Sequence, residues 1–131
     1  MKKLFISCPM KNRTKKNIDR SMEKMHKLAE IIFDQELEVI PTWIDEEPTA
    51  ECVNPGVWYL GKSIELLAQA DYFIGIQYRD FFNGCDIEAR TARAYGIKST
   101  YVELCEIMPD AQEIVNEYYR NETCSPAPIS C

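Results

Sequence analysis

Short apolar runs and helix-spaced apolar residues alternate along this chain. Runs of four to six residues rich in apolar or β-branched side chains, at residues 3–7, 37–40, 72–76 and 98–103, are typical of strands. The run YFIGI at residues 72–76 is almost continuously apolar, as in a central strand that is covered on both faces. Between these runs, apolar residues recur every three or four positions, which predicts amphipathic helices.

Local capping signals mark where these helices begin and end. Thr14 is an N-cap candidate for the first helix. Asn54 followed by Pro55 suits the start of the second, because Asn caps a helix and Pro is preorganised at its first position. Gly96 suits the left-handed residue that follows many helices. The predicted helices therefore follow Thr14, follow Asn54, and cover residues 84–96 and 109–119, before a flexible tail at residues 123–131.

Strands that alternate with helices predict right-handed crossovers and a parallel sheet. We therefore predict a single α/β domain over residues 1–122, with a parallel sheet of about four to five strands. In such sheets, ligands bind outside the carboxyl ends of the strands. The loops expected to converge at this edge cover residues 7–14, 41–54 and 77–84 and the segment after Glu103.

Composition fits an ordinary globular protein. The 131 residues are 46% hydrophobic and 27% charged. No apolar run approaches the roughly 18 residues that a membrane span needs, so no membrane partner is expected. Only about five apolar residues follow the two lysines at the N-terminus, too few for a secretory signal, which predicts a cytoplasmic protein.

Charge is distributed unevenly along the chain. Residues 1–27 hold nine Lys and Arg against two acidic residues, a net charge of +7, which leaves −13 on the rest. An acidic body argues against a nucleic-acid partner, which needs a broad basic surface. The basic residues after the first strand, Lys11, Arg13 and Lys15, fit either a phosphate-binding loop or a solvated helix face.

The segment FNGCDIEARTARAYGI, residues 82–97, carries the most chemical information. Gly84 lets the backbone approach a ligand closely at a helix start. Glu88 lies one turn later, and because helical Cα–Cβ bonds tilt toward the N-terminus, its carboxylate is aimed at the strand ends. Such a carboxylate either acts as a nucleophile at a sugar carbon or only stabilises the positive helix end, which favours its ionised form. The six cysteines show no CxxC spacing and His26 is the single histidine, so neither a metal nor another cofactor is expected.

Three segments resemble the nucleoside 2-deoxyribosyltransferase superfamily: LFISCPM near the N-terminus, AD at residues 70–71, and NGCDIEARTARAYGI. The similarity is greatest to the small phage and bacterial members of uncharacterised function, and it covers residues 3–103. The resemblance implies a flavodoxin-like, doubly wound, three-layer α/β/α fold. It also implies an enzyme that cleaves the N-glycosidic bond of a nucleoside or nucleotide, by hydrolysis or by transfer.

The resemblance assigns roles to individual residues. A family glutamate, matched here by Glu88, attacks C1′ and forms a glycosyl-enzyme, while the first loop and the glycine-containing turn line the sugar and phosphate end. Ser63 stands where catalytic members carry an aspartate. Trp43 and Tyr78, in the two longest loops, are expected either to stack on a flat ligand or to pack as a lid or dimer contact. With Glu88 as the catalytic residue, the expected substrate-binding residues are Ser7, Cys8, Pro9, Met10, Arg13, Trp43, Ser63, Tyr78, Asn83 and Gly84.

Two functions from different classes remain open at this point. The first is an N-glycosidic-bond enzyme, and the second is a catalytically degenerate binder that senses or sequesters a nucleotide-derived ligand. A receiver-type interaction domain is disfavoured, because the first loop reads CPMKNRTKK instead of carrying clustered acidic residues. Many aromatic residues outside the predicted strands, together with the family resemblance, predict a homo-oligomer, a dimer or larger.

Overall fold

The structure, a computed structural model, describes residues 1–77 and 82–108. Within these residues no helix has the length and apolar character needed to cross a membrane. The elements in chain order are β1 (Lys2–Ile6), α1 (Lys15–Phe33), β2 (Leu37–Val39), α2 (Pro55–Leu67), β3 (Tyr72–Ile76), α3 (Asn83–Ala94), β4 (Lys98–Val102) and α4 (Leu104–Ile107). The helix predicted at residues 109–119, the tail predicted at residues 123–131 and the predicted site residue Tyr78 lie outside the described residues.

The capping signals explain where the helices begin and end. The Thr14 side chain accepts a hydrogen bond from the Asn17 N–H at 3.2 Å, and Asn54 caps α2 in the same way. Gly96 has a φ of 75°, as predicted for the residue that ends the third helix. All four strands agree with the sequence prediction to within one residue, whereas the short helix α4 was not predicted.

The sheet is entirely parallel, with strand order β2-β1-β3-β4. The chain moves from β1 to one side to form β2, and then crosses back over β1 to form β3 and β4. Because parallel crossovers are right-handed, this reversal places α1 on one face of the sheet and both α2 and α3 on the other. The predicted α/β class and doubly wound, three-layer arrangement are therefore confirmed, with four strands in the described residues.

Alternate residues of the central strands pack on opposite faces of the sheet. Leu4 and Ile6 of β1 join a core cluster with α1 and α4, whereas Phe5 joins a second cluster with α2 and α3. The Phe5 ring stacks on the ring of Phe73 on the neighbouring strand, with centroids 5.9 Å apart. Gly75 makes room for the Phe73 ring, because a Cβ atom at position 75 would lie 2.8 Å from that ring.

Candidate functional site

A cavity of about 580 Å³ lies at the carboxyl ends of β1 and β3. Its walls come from the residues that follow β1, the residues that follow β2, one face of α2 and the first turns of α3. The strand order reverses between these strands, because α1, which follows β1, and α3, which follows β3, pack on opposite faces of the sheet. Cavities of this size hold small organic ligands.

One face of α2 contributes a wall of the cavity. Gly56, Tyr59, Leu60 and Ser63 are spaced three or four residues apart around this face, and all four line the cavity. Only Leu67, in the last turn, is fully buried against the sheet. The amino-terminal turns of α2 therefore line the cavity and contribute little to the buried core.

Glu88 lies in the second turn of α3 and is only 8% exposed. Its Oε1 atom accepts a hydrogen bond from Ser7 Oγ at 2.7 Å, across 81 residues of sequence. Ser7 is itself fixed by the sheet, because it follows β1 directly and its N–H donates to the Ile74 carbonyl at 2.9 Å. The sheet thus positions the hydroxyl that holds the Glu88 carboxylate.

Burial and hydrogen bonding have opposite effects on the Glu88 carboxyl. Burial raises the pKa of Glu88, because the ionised form loses contact with water. Hydrogen bonds from the Ser7 and Ser63 hydroxyls lower this pKa, yet the net shift is upward. The sequence suggested that the positive end of α3 would favour the ionised form, and in the structure the effect of burial is larger.

Two buried thiols flank this carboxyl. Burial raises the pKa of Cys8 to about 11, although the nearby Arg13 guanidinium lowers it. The pKa of Cys85 is also raised, first by burial and then by the charge of Glu88. Both cysteines are free thiols and stay protonated at neutral pH, so they behave as small apolar wall residues. Glu88 is the stronger candidate for a nucleophile.

Arg13 is directed away from the cavity. Its guanidinium donates to the Pro9 carbonyl at 2.8 Å and to Ser21 Oγ at 2.6 Å, which ties the first loop to α1. Asn12, the residue before Arg13, has a φ of 61°, in the left-handed region. Arg13 is absent from the cavity lining, and Lys11 is the basic residue that lines the cavity among residues 1–77 and 82–108. The substrate-binding role of Arg13 stays a prediction.

The structure brings most of the predicted site residues together. Those that line the cavity are Cys8, Pro9, Met10, Trp43, Ser63, Asn83, Gly84 and Glu88, with Ser7 hydrogen-bonded to the last of them. A Cβ atom on Gly84 would meet no protein atom within 4 Å, so this position opens onto the cavity. Three further lining residues, Thr42, Tyr59 and Cys85, were not predicted from the sequence. Tyr59 could have been predicted, because it lies on the same helix face as Ser63.

Comparisons with known proteins do not identify a relative of this chain. The sequence matches no protein-family model and no curated protein, and no solved structure matches this one. Among residues 1–77 and 82–108, no cluster of three or more His, Cys, Asp or Glu side chains is arranged to hold a metal ion. The chemistry to be explained is that of a buried carboxyl held by two serines.

We expect Ser7→Ala to raise the pKa of Glu88 further. The substitution removes a hydrogen bond that stabilises the ionised carboxylate, while burial continues to oppose ionisation. The measurement is an NMR titration of ¹³C-labelled glutamate side chains, with Glu88→Gln used to assign the resonance. Ser99→Ala, whose hydroxyl donates to the Ile97 carbonyl, is the matched control. An unchanged or lowered Glu88 pKa in Ser7→Ala would contradict the assignment of this hydrogen bond.

Proposed function

We propose that this protein is a cytoplasmic enzyme that cleaves or transfers the N-glycosidic bond of a nucleoside or nucleotide, with Glu88 as the nucleophile. The main support for the proposal is the Glu88 carboxyl, which is buried in the cavity wall where the strand order reverses. Its Oε1 atom accepts a hydrogen bond from Ser7 Oγ at 2.7 Å. The resemblance of residues 82–97 to the nucleoside 2-deoxyribosyltransferase superfamily supports the same residue for the same role.

The proposed reaction proceeds through a covalent intermediate. A Glu88 oxygen attacks C1′ of the sugar, the C1′–N bond breaks, and its electron pair leaves with the base, which takes up a proton from water. Water or a second base then attacks C1′ and frees the carboxylate. Ser7 holds the carboxylate in one orientation during both steps. Only the ionised form attacks, so the rate should rise as the pH increases through the raised pKa of Glu88.

Ser63 favours a second candidate function. It supplies a hydroxyl where catalytic members of the resembled family carry an aspartate, and Glu88 is the only carboxylate among the described residues that line the cavity. A pocket without its second carboxylate is also suited to a protein that binds a nucleotide-derived ligand without cleaving it. This alternative is a sensor or sequestering protein on the same fold.

Glu88→Gln is expected to abolish the release of free base and to leave ligand affinity nearly unchanged. The substitution keeps the size of the side chain but replaces the nucleophilic carboxylate with a neutral amide, so the rate should fall by about 10⁴-fold or more. The measurement is chromatographic detection of free base across a panel of nucleosides and nucleotides, including nicotinamide-containing ones.

The matched control for this experiment is Glu23→Gln, which makes the same chemical change on the exposed surface of α1. It should release base at the wild-type rate. Full activity of Glu88→Gln would remove Glu88 from the mechanism. Tight binding by the wild-type protein with no released base would favour the binding function over the enzyme.

We expect 5′-monophosphates to bind more tightly than the corresponding nucleosides. Lys11 lines the cavity, and the first N–H groups of α3 at Asn83 and Gly84 lie in the same wall without a side-chain cap. A charge-assisted contact changes affinity by about tenfold to a hundredfold. Lys11→Ala should erase the preference in calorimetric titrations, whereas Lys16→Ala, on the exposed side of α1, should retain it. Equal affinities of the nucleoside and its 5′-monophosphate for the wild-type protein would show that Lys11 does not bind the phosphate.

We also propose that the protein forms a homo-oligomer, a dimer or larger. Apolar side chains around the start of α2 and the cavity rim are exposed, with Val57 at 63%, Trp43 at 45% and Tyr59 at 37%. A second copy of the chain would cover them. Light scattering at micromolar concentration should give at least twice the 15.2 kDa of one chain, and the mass of a single chain would reject the proposal.

A further inference from the structure

Thr42 carries a buried hydroxyl that makes no hydrogen bond within the part of the chain that the structure describes. It lies in the loop after β2, is only 7% exposed, and its Oγ1 atom has no partner among the described residues. Buried hydroxyls are normally hydrogen-bonded, because removing an unpaired polar group from water is unfavourable. The free protein therefore tolerates an unfavourable group at this position.

This unpaired hydroxyl belongs to a residue of the cavity wall. Thr42, Trp43 and Ile44 line the cavity together from the β2 side. Rotation of the Thr42 side chain about its Cα–Cβ bond by one rotamer step brings the hydroxyl to the position of the methyl group. Glu88 reaches the cavity from α3, which follows β3. Because β1 lies between β2 and β3, Thr42 and Glu88 approach the cavity from opposite sides.

We propose that the Thr42 hydroxyl hydrogen-bonds the polar edge of the nucleobase and determines the affinity of this protein for the base. The inference rests on the proposed function, since it assumes that the sugar carbon C1′ is presented to Glu88. A ligand that places its sugar at Glu88 extends its base toward the β2 side, where Thr42 provides the unpaired polar group.

The chemistry of this wall suits a flat heterocycle with a polar edge. A threonine hydroxyl both donates and accepts, so it pairs with a ring nitrogen, a carbonyl or an amino group. The adjacent Trp43 ring offers an aromatic surface, and Lys15 Nζ lies 5.3 Å from the centroid of that ring. Ile44 and Leu60 complete apolar surroundings in which one hydrogen bond discriminates strongly.

The test compares two substitutions of Thr42 in the Glu88→Gln background, so that no ligand is consumed. Thr42→Val replaces the hydroxyl with a methyl group of similar size, and Thr42→Ser keeps the hydroxyl. Calorimetry measures the binding of the 5′-monophosphates of adenosine, guanosine, cytidine and thymidine. Ribose 5-phosphate, which has the sugar and phosphate without a base, is the matched ligand control.

We expect Thr42→Val to weaken the tightest-binding nucleotide by roughly fivefold to a hundredfold, because the polar edge of the base then lies unpaired in the wall. Thr42→Ser should stay close to the parent, and ribose 5-phosphate should bind equally to all three proteins. The melting temperature of Thr42→Val without ligand should match or exceed that of the parent, since the hydroxyl has no partner in residues 1–77 and 82–108.

Three results would overturn the inference: equal nucleotide affinity in Thr42→Val and the parent, an equal loss of ribose 5-phosphate binding, or no binding of any nucleotide. A lower melting temperature for Thr42→Val would assign the hydroxyl a structural role instead. Failure of the proposed enzyme function is a separate result. Nucleotides that bind the wild-type protein without release of base would reject catalysis, and a loss of affinity in Thr42→Val would still support base recognition by Thr42.

Discussion

The position of β1 between β2 and β3 is the constraint on which the site depends. Both pairings are parallel, and the chain leaves β1 toward one edge of the sheet and returns past it toward the other. The helices that follow must therefore pack on opposite faces, and the carboxyl end of β1 stays open between them. Ser7 occupies this end directly, and Glu88 reaches it from α3, so a single 2.7 Å hydrogen bond joins two distant parts of the chain.

Polar groups in the cavity wall are buried with fewer favourable contacts than the apolar side chains of the core. The core clusters pack apolar side chains on both faces of the sheet, and the Phe73 ring, which stacks on Phe5, fits the space left by Gly75. In the cavity wall, by contrast, Glu88 is buried with a raised pKa and Thr42 Oγ1 has no hydrogen-bond partner among the described residues. Folded proteins tolerate such groups mainly where function requires them, because each one lowers the stability of the free protein.

The sequence predicted the architecture more completely than the site. Strand positions follow from local apolar runs and helix starts from capping residues, and these signals need no knowledge of tertiary contacts. The meeting of Glu88 with the first loop also follows, because parallel strands end at the same edge of a sheet. The partners of the Arg13 guanidinium do not follow from the sequence, because they include the Ser21 hydroxyl, two turns into α1.

The depth of burial is a second property that local sequence does not contain. Glu88 follows a helix start, which by itself favours an ionised carboxylate, but its exposure depends on how α2 and α3 pack over the sheet. The same holds for Thr42, whose unpaired hydroxyl is visible only when every neighbouring group has been placed. Sequence spacing identifies which residues share an edge or a face, whereas solvation and pairing require the complete set of contacts.

The electrostatics of Glu88 bear on the choice between an enzyme and a binding protein. A protein that only held a nucleotide would gain nothing from a buried carboxylate, because burial of the charge destabilises the fold. Glutamine would fill the same space at lower cost. A nucleophile has the opposite requirement, since a carboxylate with few hydrogen bonds and a raised pKa is more basic and attacks an electrophilic sugar carbon more readily when it is ionised. The two serine hydroxyls lower the pKa against the effect of burial without surrounding the carboxyl with donors. This balance favours covalent catalysis, even with Ser63 in place of a second carboxylate.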